Sequence, residues 1–263
     1  MTASSIQDKV KKIITKLVTV CFWLAVWEVI YLAVKQEILI VSPAQVFSRL
    51  SELVVTSEFW ETTAKTLLRI MAGYISAVIF GTLLAFLTHF VPFTKQLFKP
   101  LIVMTRATPV ASFIILALVW LTKNTVPVFI SSIMVFPIIW GNVSEGLNNT
   151  SKEMLDMSTI FNVSKVKQLY SVYIPSAFPY FLAGCTTALG LAWKAGIAAE
   201  VIATPRSSIG LQLNNSKVYL ETVDLFSWTF VIIILSLILE KVIAFLLKKA
   251  IEKRKRTEVK DEH

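Results

Sequence analysis

The stretch VIIILSLIL at residues 231–239 decides the fold class, because it is apolar at every position except Ser236 and does not alternate. A membrane-spanning β-strand alternates apolar and polar residues over about ten positions, so this pattern favours a helix. A helix needs about 20 mostly apolar residues to cross a hydrocarbon core of about 30 Å. We therefore predict an all-α membrane protein with six transmembrane helices, at residues 17–34, 67–90, 100–121, 125–143, 178–203 and 223–247.

The composition agrees with a membrane protein. Of the 263 residues, 55% are hydrophobic and 16% are charged, whereas a soluble domain carries about a quarter charged residues. An ordinary soluble enzyme is excluded, and the aqueous loops are too short for a separate catalytic domain. We divide the chain into an N-terminal segment at 1–16, a transmembrane domain at 17–247 and a basic tail at 248–263. The first span is too long for a cleaved signal peptide, so we expect it to be retained.

The distribution of lysine and arginine predicts the orientation. Short loops rich in these residues stay on the cytoplasmic side of a membrane. With both termini inside, the inner segments hold sixteen Lys and Arg residues and the outer segments hold six. We therefore predict that segment 1–16 and tail 248–263 are cytoplasmic. The formal net charge of +9 is then mainly a topology signal with some attraction for anionic lipid, and we expect no nucleic-acid partner.

The longest inner connection, residues 145–175, carries two short helical patterns. Its apolar residues predict one helix before Asn162 and another after it. Asn162 tolerates the left-handed backbone conformation, and Ser164 can cap the second helix. Pro175 is expected to end that helix. The apolar bend at 160–163 either packs against its own bundle or docks into a cytoplasmic protein, and the residues alone leave both interpretations open.

Two outer segments also carry a pattern. Ser42 and Pro43 begin an amphipathic stretch that predicts a capped helix on the outer face. Such a helix lies either in the membrane interface or in a docking platform for an external partner. The polar stretch at 204–222 is compatible with a re-entrant turn or the rim of a gate, and its spacing does not decide between them.

The span at 178–203 is rich in small residues and contains a lysine. Ala188, Ala192 and Gly196 recur every four residues, so they share one helical face and permit close backbone approach. They serve either packing within the chain or an interface between two copies around a central path. Lys194 is either an ion-paired or snorkelling lysine, or a positive group on the path that favours anionic cargo.

Glu200 and Arg106 are further ionisable residues at the spans. Glu200 is six residues from Lys194, about 240° around a helix, so a pair within the helix is not expected. We expect Glu200 to meet the outer loop or another helix. Arg106 is expected to snorkel to the inner surface or to bind a helix end, with a place on the path as the alternative.

The sequence predicts no catalytic, metal-binding or cofactor-binding group. The histidines are His89, at a span end, and His263, the last residue, so an intramembrane serine protease is not supported. Cys21 and Cys185 lie in apolar runs without ligand spacing. The chain has no G-x-x-x-x-G-K-[ST] motif, so we expect no P-loop nucleotide site.

The inner connection carries a resemblance to a known family. The stretch DMSTIFNVSKVKQLYSVYIP at 156–175 is similar to the "EAA" loop of the permease subunits of bacterial binding-protein-dependent ABC importers. Asp156 stands at the acid of that pattern, Met157 and Ser158 at its two small residues, Asn162 at its glycine and Pro175 at its closing proline. Met157 and Asn162 depart from the pattern. Asn is the best non-glycine substitute at a positive φ, so the turn can be kept.

Other stretches resemble the same family in order along the chain. They are SPAQVFSRL at 42–50, Arg106 with Pro109, LAWKAGIAAEVI at 191–202 and IGLQL at 209–213. Together they are similar to the branch that handles nitrate, sulfonates, taurine, bicarbonate and thiamine-precursor pyrimidines. The likeness covers about residues 40 to 250.

The resemblance implies a type I ABC importer-like permease in the bacterial inner membrane. It implies two cytoplasmic ATPase subunits that use ATP and Mg, an extracytoplasmic solute-binding protein and a second copy of this chain. The implied ATPase contact comprises the pattern residues already named together with Ile160, Phe161, Val163 and Ser164. The candidate path residues are Lys194, Ala188, Ala192, Gly196, Glu200 and Arg106.

The expected cargo is a small solute, in particular an anion such as a sulfonate, taurine, nitrate or bicarbonate. A pyrimidine or related small metabolite is the alternative within the family. Outside the family, the alternatives are a stand-alone secondary transporter or channel and a structural membrane scaffold.

Overall fold

The structure, a computed structural model, describes residues 3–261, with side chains described at Lys11, 14–246 and Lys249. Most basic side chains of segment 1–16 and tail 248–263 therefore lie outside the described residues. The described chain is helical and contains no strand. Its helices are α1 (Ala3–Val34), α2 (Pro43–Val55), α3 (Ser57–Phe90), α4 (Pro92–Ala107), α5 (Val110–Trp120), α6 (Val126–Asn148), α7 (Lys152–Ile160), α8 (Lys165–Gln168), α9 (Ile174–Ala203), α10 (Ile209–Val218) and α11 (Thr222–Asp261).

Five of the six predicted spans are confirmed as continuous helical segments. Each is long and apolar enough to cross a membrane. An α-helix is suited to this, because it satisfies its own backbone hydrogen bonds and presents apolar side chains to lipid. These segments are Ile14–Val34, Ser57–Phe90, Val126–Asn148, Lys165–Ala203 and Thr222–Leu246.

The third predicted span, residues 100–121, is not one straight helix. The chain forms α4 and α5 instead, bent by 110° at an elbow formed by Thr108 and Pro109. Pro109 has no backbone N–H, and its ring disfavours a helical conformation at the preceding residue, so Thr108 is extended at φ −80° and ψ 132°. With 16 and 11 residues, the two helices are about 24 and 16 Å long, so neither crosses a bilayer alone.

The bent pair nevertheless returns the chain across the bundle. Gly73 and Gly81 of α3 lie against residues 128 and 136 of α6, so these two helices run parallel. In contrast, α9 is antiparallel to α6, since Gly184 lies against Asn142 while Ala177 lies against Gly146. A chain that leaves α3 and enters a parallel α6 must first cross back. If α4 and α5 together count as one membrane span, the described chain has the six predicted spans.

The chain packs as two compact units, Glu61–Leu211 with Ile232–His263, and Met1–Trp60 with Gln212–Val231. In the first, a core of small and branched side chains joins α5, α6 and α9. The alanines of α9 leave room there for the larger residues of the other two helices. The core residues are Ile114, Ala117, Val126, Ile130, Met134, Ala195, Ala199 and Ala203.

The second unit contains the predicted capped helix α2. The Ser42 hydroxyl accepts a hydrogen bond from the Gln45 backbone N–H, and the Gln45 side chain accepts one from the Ser42 N–H, which forms a capping box. Arg49 of α2 binds both carboxylate oxygens of Asp224, at 2.6 and 2.9 Å. These bonds raise the pKa of Arg49 above its usual value. Such a paired, bidentate contact anchors α2 to the start of α11.

The polar stretch at 204–222, which the spacing left undecided, contains the helix α10. The chain reaches it through Thr204 and Ser207, both in the left-handed conformation with φ of 48° and 47°. Gly210 at its start packs directly on Glu200, where a side chain would clash with the α9 backbone.

Candidate functional site

The inner connection between α6 and α9 begins with the short helix α7. Its cap is Ser151, whose hydroxyl oxygen accepts a hydrogen bond from the Met154 N–H at 3.3 Å. The same hydroxyl donates to the Glu153 carboxylate at 2.6 Å, which lowers the pKa of Glu153. The sequence reasoning did not use Ser151, although a serine just before a helical pattern is an ordinary cap signal.

The predicted left-handed conformation of Asn162 is confirmed. Asn162 has φ 52° and lies one residue beyond the C-cap of α7. Its N–H donates to the Thr159 carbonyl at 3.0 Å, and the Val163 N–H donates to the Ser158 carbonyl at 2.8 Å. This pair of bonds is a Schellman motif, which satisfies the last carbonyls of the helix. The bend is therefore a defined turn.

The second arm of the loop starts as predicted but does not end as predicted. The Ser164 hydroxyl accepts from the Lys167 N–H at 3.4 Å and caps α8. The chain then forms a π-helical turn at Leu169–Tyr173 and continues directly into α9. Pro175 does not stop the helix: it is the second residue of α9 and directly follows the π-helical turn, a local change of the hydrogen-bond pattern of the kind that accommodates a proline without a backbone N–H. The arm and the fifth span thus form one helical segment, Lys165–Ala203.

A contact between the two arms shows why the two small positions of the family pattern differ in this chain. The Gln168 side chain donates a hydrogen bond to the Ser158 hydroxyl at 2.7 Å, and Ser158 is only 9% exposed. Met157, the unusually large neighbour, is 56% exposed. A small residue is therefore required at Ser158, while the size of Met157 disturbs nothing within the described chain.

The loop tip, defined as residues 160–164, carries exposed side chains. Ile160 is 75% exposed and Phe161 is 72% exposed, and Asp156 beside the tip is exposed as well. Among the described residues nothing covers these side chains, so the tip does not pack against its own bundle. Two large apolar residues on a hydrogen-bonded turn form a surface suited to another protein.

Within α9, the structure places the stripe of small residues in intrachain packing. Ala188 and Ala192 are fully buried. At Gly196, a Cβ atom would lie 2.6 Å from the Ile70 side chain and 2.7 Å from the Ser131 hydroxyl oxygen. These positions allow α3, α6 and α9 to approach closely, which agrees with the packing interpretation of the stripe.

Glu200 meets both another helix and the outer stretch, as expected. Its carboxylate is fully buried and accepts hydrogen bonds from the Thr66 hydroxyl at 2.8 Å, Arg69 at 3.2 Å and the Gly210 N–H at 3.3 Å. Arg69 also donates to the carbonyls of residues 206 and 207. This cluster ties α3, α9 and the start of α10 together.

Thr66 and Arg69 were not assigned a role from the sequence. An arginine near a span end is a detectable signal, because an ionisable group there needs a partner. Its partner, however, lies 131 positions away along the chain and cannot be read from local spacing.

The two remaining candidate residues are cations at mid-span. Lys194 is exposed and makes no hydrogen bond or ion pair with any described residue. Arg106 donates from Nη2 to the Pro137 carbonyl at 2.7 Å. Pro137 lies halfway along α6, so the bond of Arg106 is not to a helix end. Arg106 itself lies in the last turn of α4, beside the elbow.

Replacing Asn162 should act on the loop tip locally. A left-handed residue other than glycine costs about 1–2 kcal/mol, so Asn162→Val should increase hydrogen exchange at the Val163 amide by roughly tenfold or more. Asn162→Gly, which relieves the same conformation, should leave exchange unchanged or slower. Equal exchange in the valine and glycine variants would contradict the turn as described.

Breaking the Glu200 cluster should destabilise the bundle. Glu200→Gln leaves the Arg69 guanidinium without its ionised partner, and breaking a buried pair costs about 3–5 kcal/mol. We expect a clear fall in the melting temperature of the purified chain. Glu61→Gln, the same substitution at the exposed Glu61–Lys65 pair, serves as the control and should change it little. Similar melting temperatures for the two variants would argue against a stabilising role of the cluster.

Comparison with known proteins gives the family. The family described as "Binding-protein-dependent transport system inner membrane component" matches residues 77–257, more than half of the chain. The crystal structure of an amino acid ABC transporter with histidines shares the fold, with a TM-score of 0.57 and 16% identity. The match covers 79% of this chain and 96% of that chain.

Curated relatives agree with this assignment. The bicarbonate transport system permease protein CmpB of Synechocystis sp. is 30% identical over 72% of this chain and 68% of its own. The taurine transport system permease protein TauC of Escherichia coli is 24% identical over 81% of this chain and 80% of its own. The nitrate import permease protein NrtB of Synechococcus elongatus is 29% identical over 74% of this chain and 73% of its own. The chain therefore belongs to the inner membrane components of binding-protein-dependent transport systems and is a multi-pass permease subunit of an ABC importer.

Proposed function

We propose that this permease imports a small anion, with ATP hydrolysed by separate cytoplasmic subunits that dock on the loop tip. The observation that supports this proposal best is the exposed apolar pair Ile160 and Phe161 on a hydrogen-bonded turn. The family implies an ATPase and a binding protein as partners. In this proposal two ATPase subunits bind the ATP and Mg, two permease copies form the path, and both termini are cytoplasmic.

The connection between the loop and the bundle supports a mechanical role. The second arm continues as a single helical segment, Lys165–Ala203, and the Gln168–Ser158 bond links the two arms. A displacement of the tip is therefore passed to α9 as a rigid-body motion. At its far end, α9 holds Glu200 and, through it, α3 and α10. Closure of the ATPase dimer can thus bias the arrangement of the outer end of the bundle.

The proposed cargo class rests on charge and on the relatives. CmpB, TauC and NrtB are named for bicarbonate, taurine and nitrate, which carry a carbonate, sulfonate or nitrate group. In this chain, Arg106 and Lys194 are mid-span cations without a described acidic partner. A cation at that depth is unfavourable against lipid and favourable beside an anion. A neutral pyrimidine would not use these charges.

The exposed side of α9 supports the proposal that two copies of the chain assemble. Ala183, Thr187 and Lys194 are exposed there, whereas the exposed side of α1 carries large apolar residues such as Leu17, Phe22 and Leu32. Large apolar side chains suit lipid, and small or polar ones suit a protein or water-filled surface. We propose that this side of α9 faces the second permease and the path between the two.

Reconstitution tests the proposed function directly. Vesicles containing the permease, its ATPase and its binding protein should accumulate bicarbonate, nitrate or taurine only when ATP is supplied. The control is the permease alone, with and without an ion gradient. Uptake by the permease alone, driven by the gradient, would instead support a secondary transporter, and no uptake under any condition would contradict the anion proposal.

Phe161→Asp should abolish co-purification of the ATPase without affecting membrane insertion. A charge in the centre of an apolar contact leaves a desolvated, unpaired carboxylate in the complex, which is strongly unfavourable. Tyr219→Asp is the matched control, because Tyr219 is 71% exposed and Phe161 is 72% exposed, yet Tyr219 follows α10. Undiminished recovery of the ATPase with Phe161→Asp would refute docking at the tip.

A further inference from the structure

We infer that the elbow between α4 and α5 is a binding site for a small oxyanion within the permease. The site is a cavity of about 400 Å³, lined by Arg106, Thr108, Pro109 and Val110 on one side and by Pro137 and Leu191 on the other. The inference rests on the proposed anion cargo and names the place where that cargo meets the membrane subunit. It assigns a role to Arg106 that sequence patterns did not determine.

The cavity results from the break in the third span. Pro109 stops α4 and redirects the chain by 110°, so the two short helices do not fill the space beside α6 and α9. Pro137 and Leu191 lie near the middle of those two helices. The cavity thus lies beside the middle of α6 and α9, at a depth that a cargo crossing the membrane also reaches.

Arg106 supplies positive charge and free donors to the cavity. Nη2 bonds to the Pro137 carbonyl at 2.7 Å, and the absence of a side chain at Gly141 allows this approach, because a Cβ there would lie 2.8 Å from Nη2. Arg106 makes no other hydrogen bond and no ion pair with the described residues. One bond to a carbonyl holds the guanidinium in place, while its remaining N–H groups are available. A guanidinium with free donors is suited to bidentate recognition of a carboxylate, nitrate or sulfonate group.

The start of α5 adds a favourable dipole. Its N-cap is Pro109, and no side chain caps its first amides. The N-terminal end of a helix carries partial positive charge and unpaired N–H groups. Interrupted membrane helices can use such ends to hold anionic groups. By contrast, the hydroxyls of Thr105 and Thr108 donate to carbonyls of their own helix, so they do not compete for this role.

Lys194 does not line the cavity, but it follows one lining residue by about one helical turn. Leu191 lines the cavity, and Lys194 is three residues further along α9, hence on the same helical face. An acid also approaches this part of α9, since a carboxylate oxygen of Glu240 lies 3.7 Å from the Cβ position at Gly190. Neither Glu240 nor Lys194 lines the cavity, and Arg106 is the charged residue in its lining. The cavity wall itself therefore carries positive charge only.

The test measures the charge preference of the cavity without any knowledge of the cargo. In a chain with Cys21→Ser and Cys185→Ser, Val110→Cys places a reporter thiol in the cavity. The full-length permease in vesicles, with its ATPase, is treated with a sulfonatoethyl or a trimethylammonioethyl methanethiosulfonate reagent. With each rate divided by that reagent's rate with a free thiol in solution, the anionic reagent should be favoured over the cationic one. Arg106→Gln should lower the ratio of the two rates by about tenfold.

Controls separate the site from general electrostatics and from misfolding. Lys99→Gln removes a positive charge two turns earlier on α4 and should leave the ratio unchanged. Arg106→Lys keeps the charge and should retain most of the preference. The inference is overturned if the thiol at position 110 reacts with neither reagent. It is also overturned if Arg106→Gln and Lys99→Gln both give the same rate ratio as the reporter protein that keeps Arg106 and Lys99. If the wild-type importer takes up none of the tested anions, the cargo proposal fails, while the rate ratio still decides whether the cavity selects anions.

Discussion

The hydrocarbon core of a bilayer offers no hydrogen-bond partner to the backbone, and the prolines of this chain show how its helices meet that constraint. Pro109 ends a helix and produces the elbow. Pro137 remains inside α6, where its carbonyl binds Arg106. Pro175 stands in the first turn of α9, directly after a π-helical turn. Pro109 thus coincides with a bend, whereas the chain stays helical through Pro137 and Pro175.

These local solutions organise the bundle around α9. Its N-terminal end is continuous with the second arm of the loop, and its C-terminal end carries the buried Glu200. Between them, the small residues of α9 let α3 and α6 pack at close range. A helix that is held at both ends and closely packed along its length moves as a unit. This geometry supports the proposed transfer of motion from the loop tip to the outer end of the permease.

The ionisable residues of the spans differ in how fully the chain satisfies them. Glu200 and Arg69 are withdrawn from lipid and satisfy one another within a network that includes Thr66 and Gly210. Arg106 is only partly satisfied, by one carbonyl, and Lys194 has no described partner. A fully satisfied pair stabilises a structure, whereas a partly satisfied cation in a cavity retains the capacity to bind. The difference distinguishes the buried Glu200–Arg69 pair from the two cations for which a role in transport is proposed.

Much of this architecture could be predicted from residue patterns. Continuous apolar runs identified five continuous helical spans and the loop between the fourth and fifth of the six predicted spans, because hydrophobicity and helix length are local properties. Asn162 and Ser164 were assigned correctly for the same reason, since backbone preference and capping depend on a few neighbouring residues. The break at Pro109 was missed, although the proline itself was a visible signal.

The sequence by itself determined that the chain is a helical membrane protein, where most of its helices lie and how its inner loop turns. The tertiary structure decided which groups meet: Glu200 with Arg69, Gln168 with Ser158, and Arg106 with the middle of α6. It also decided that Pro175 lies within a continuous helical segment and that the loop tip is uncovered by the described chain. The physical reason is that helix formation and membrane insertion depend on local composition, whereas ion pairs, cavities and exposure depend on contacts between residues far apart in the chain.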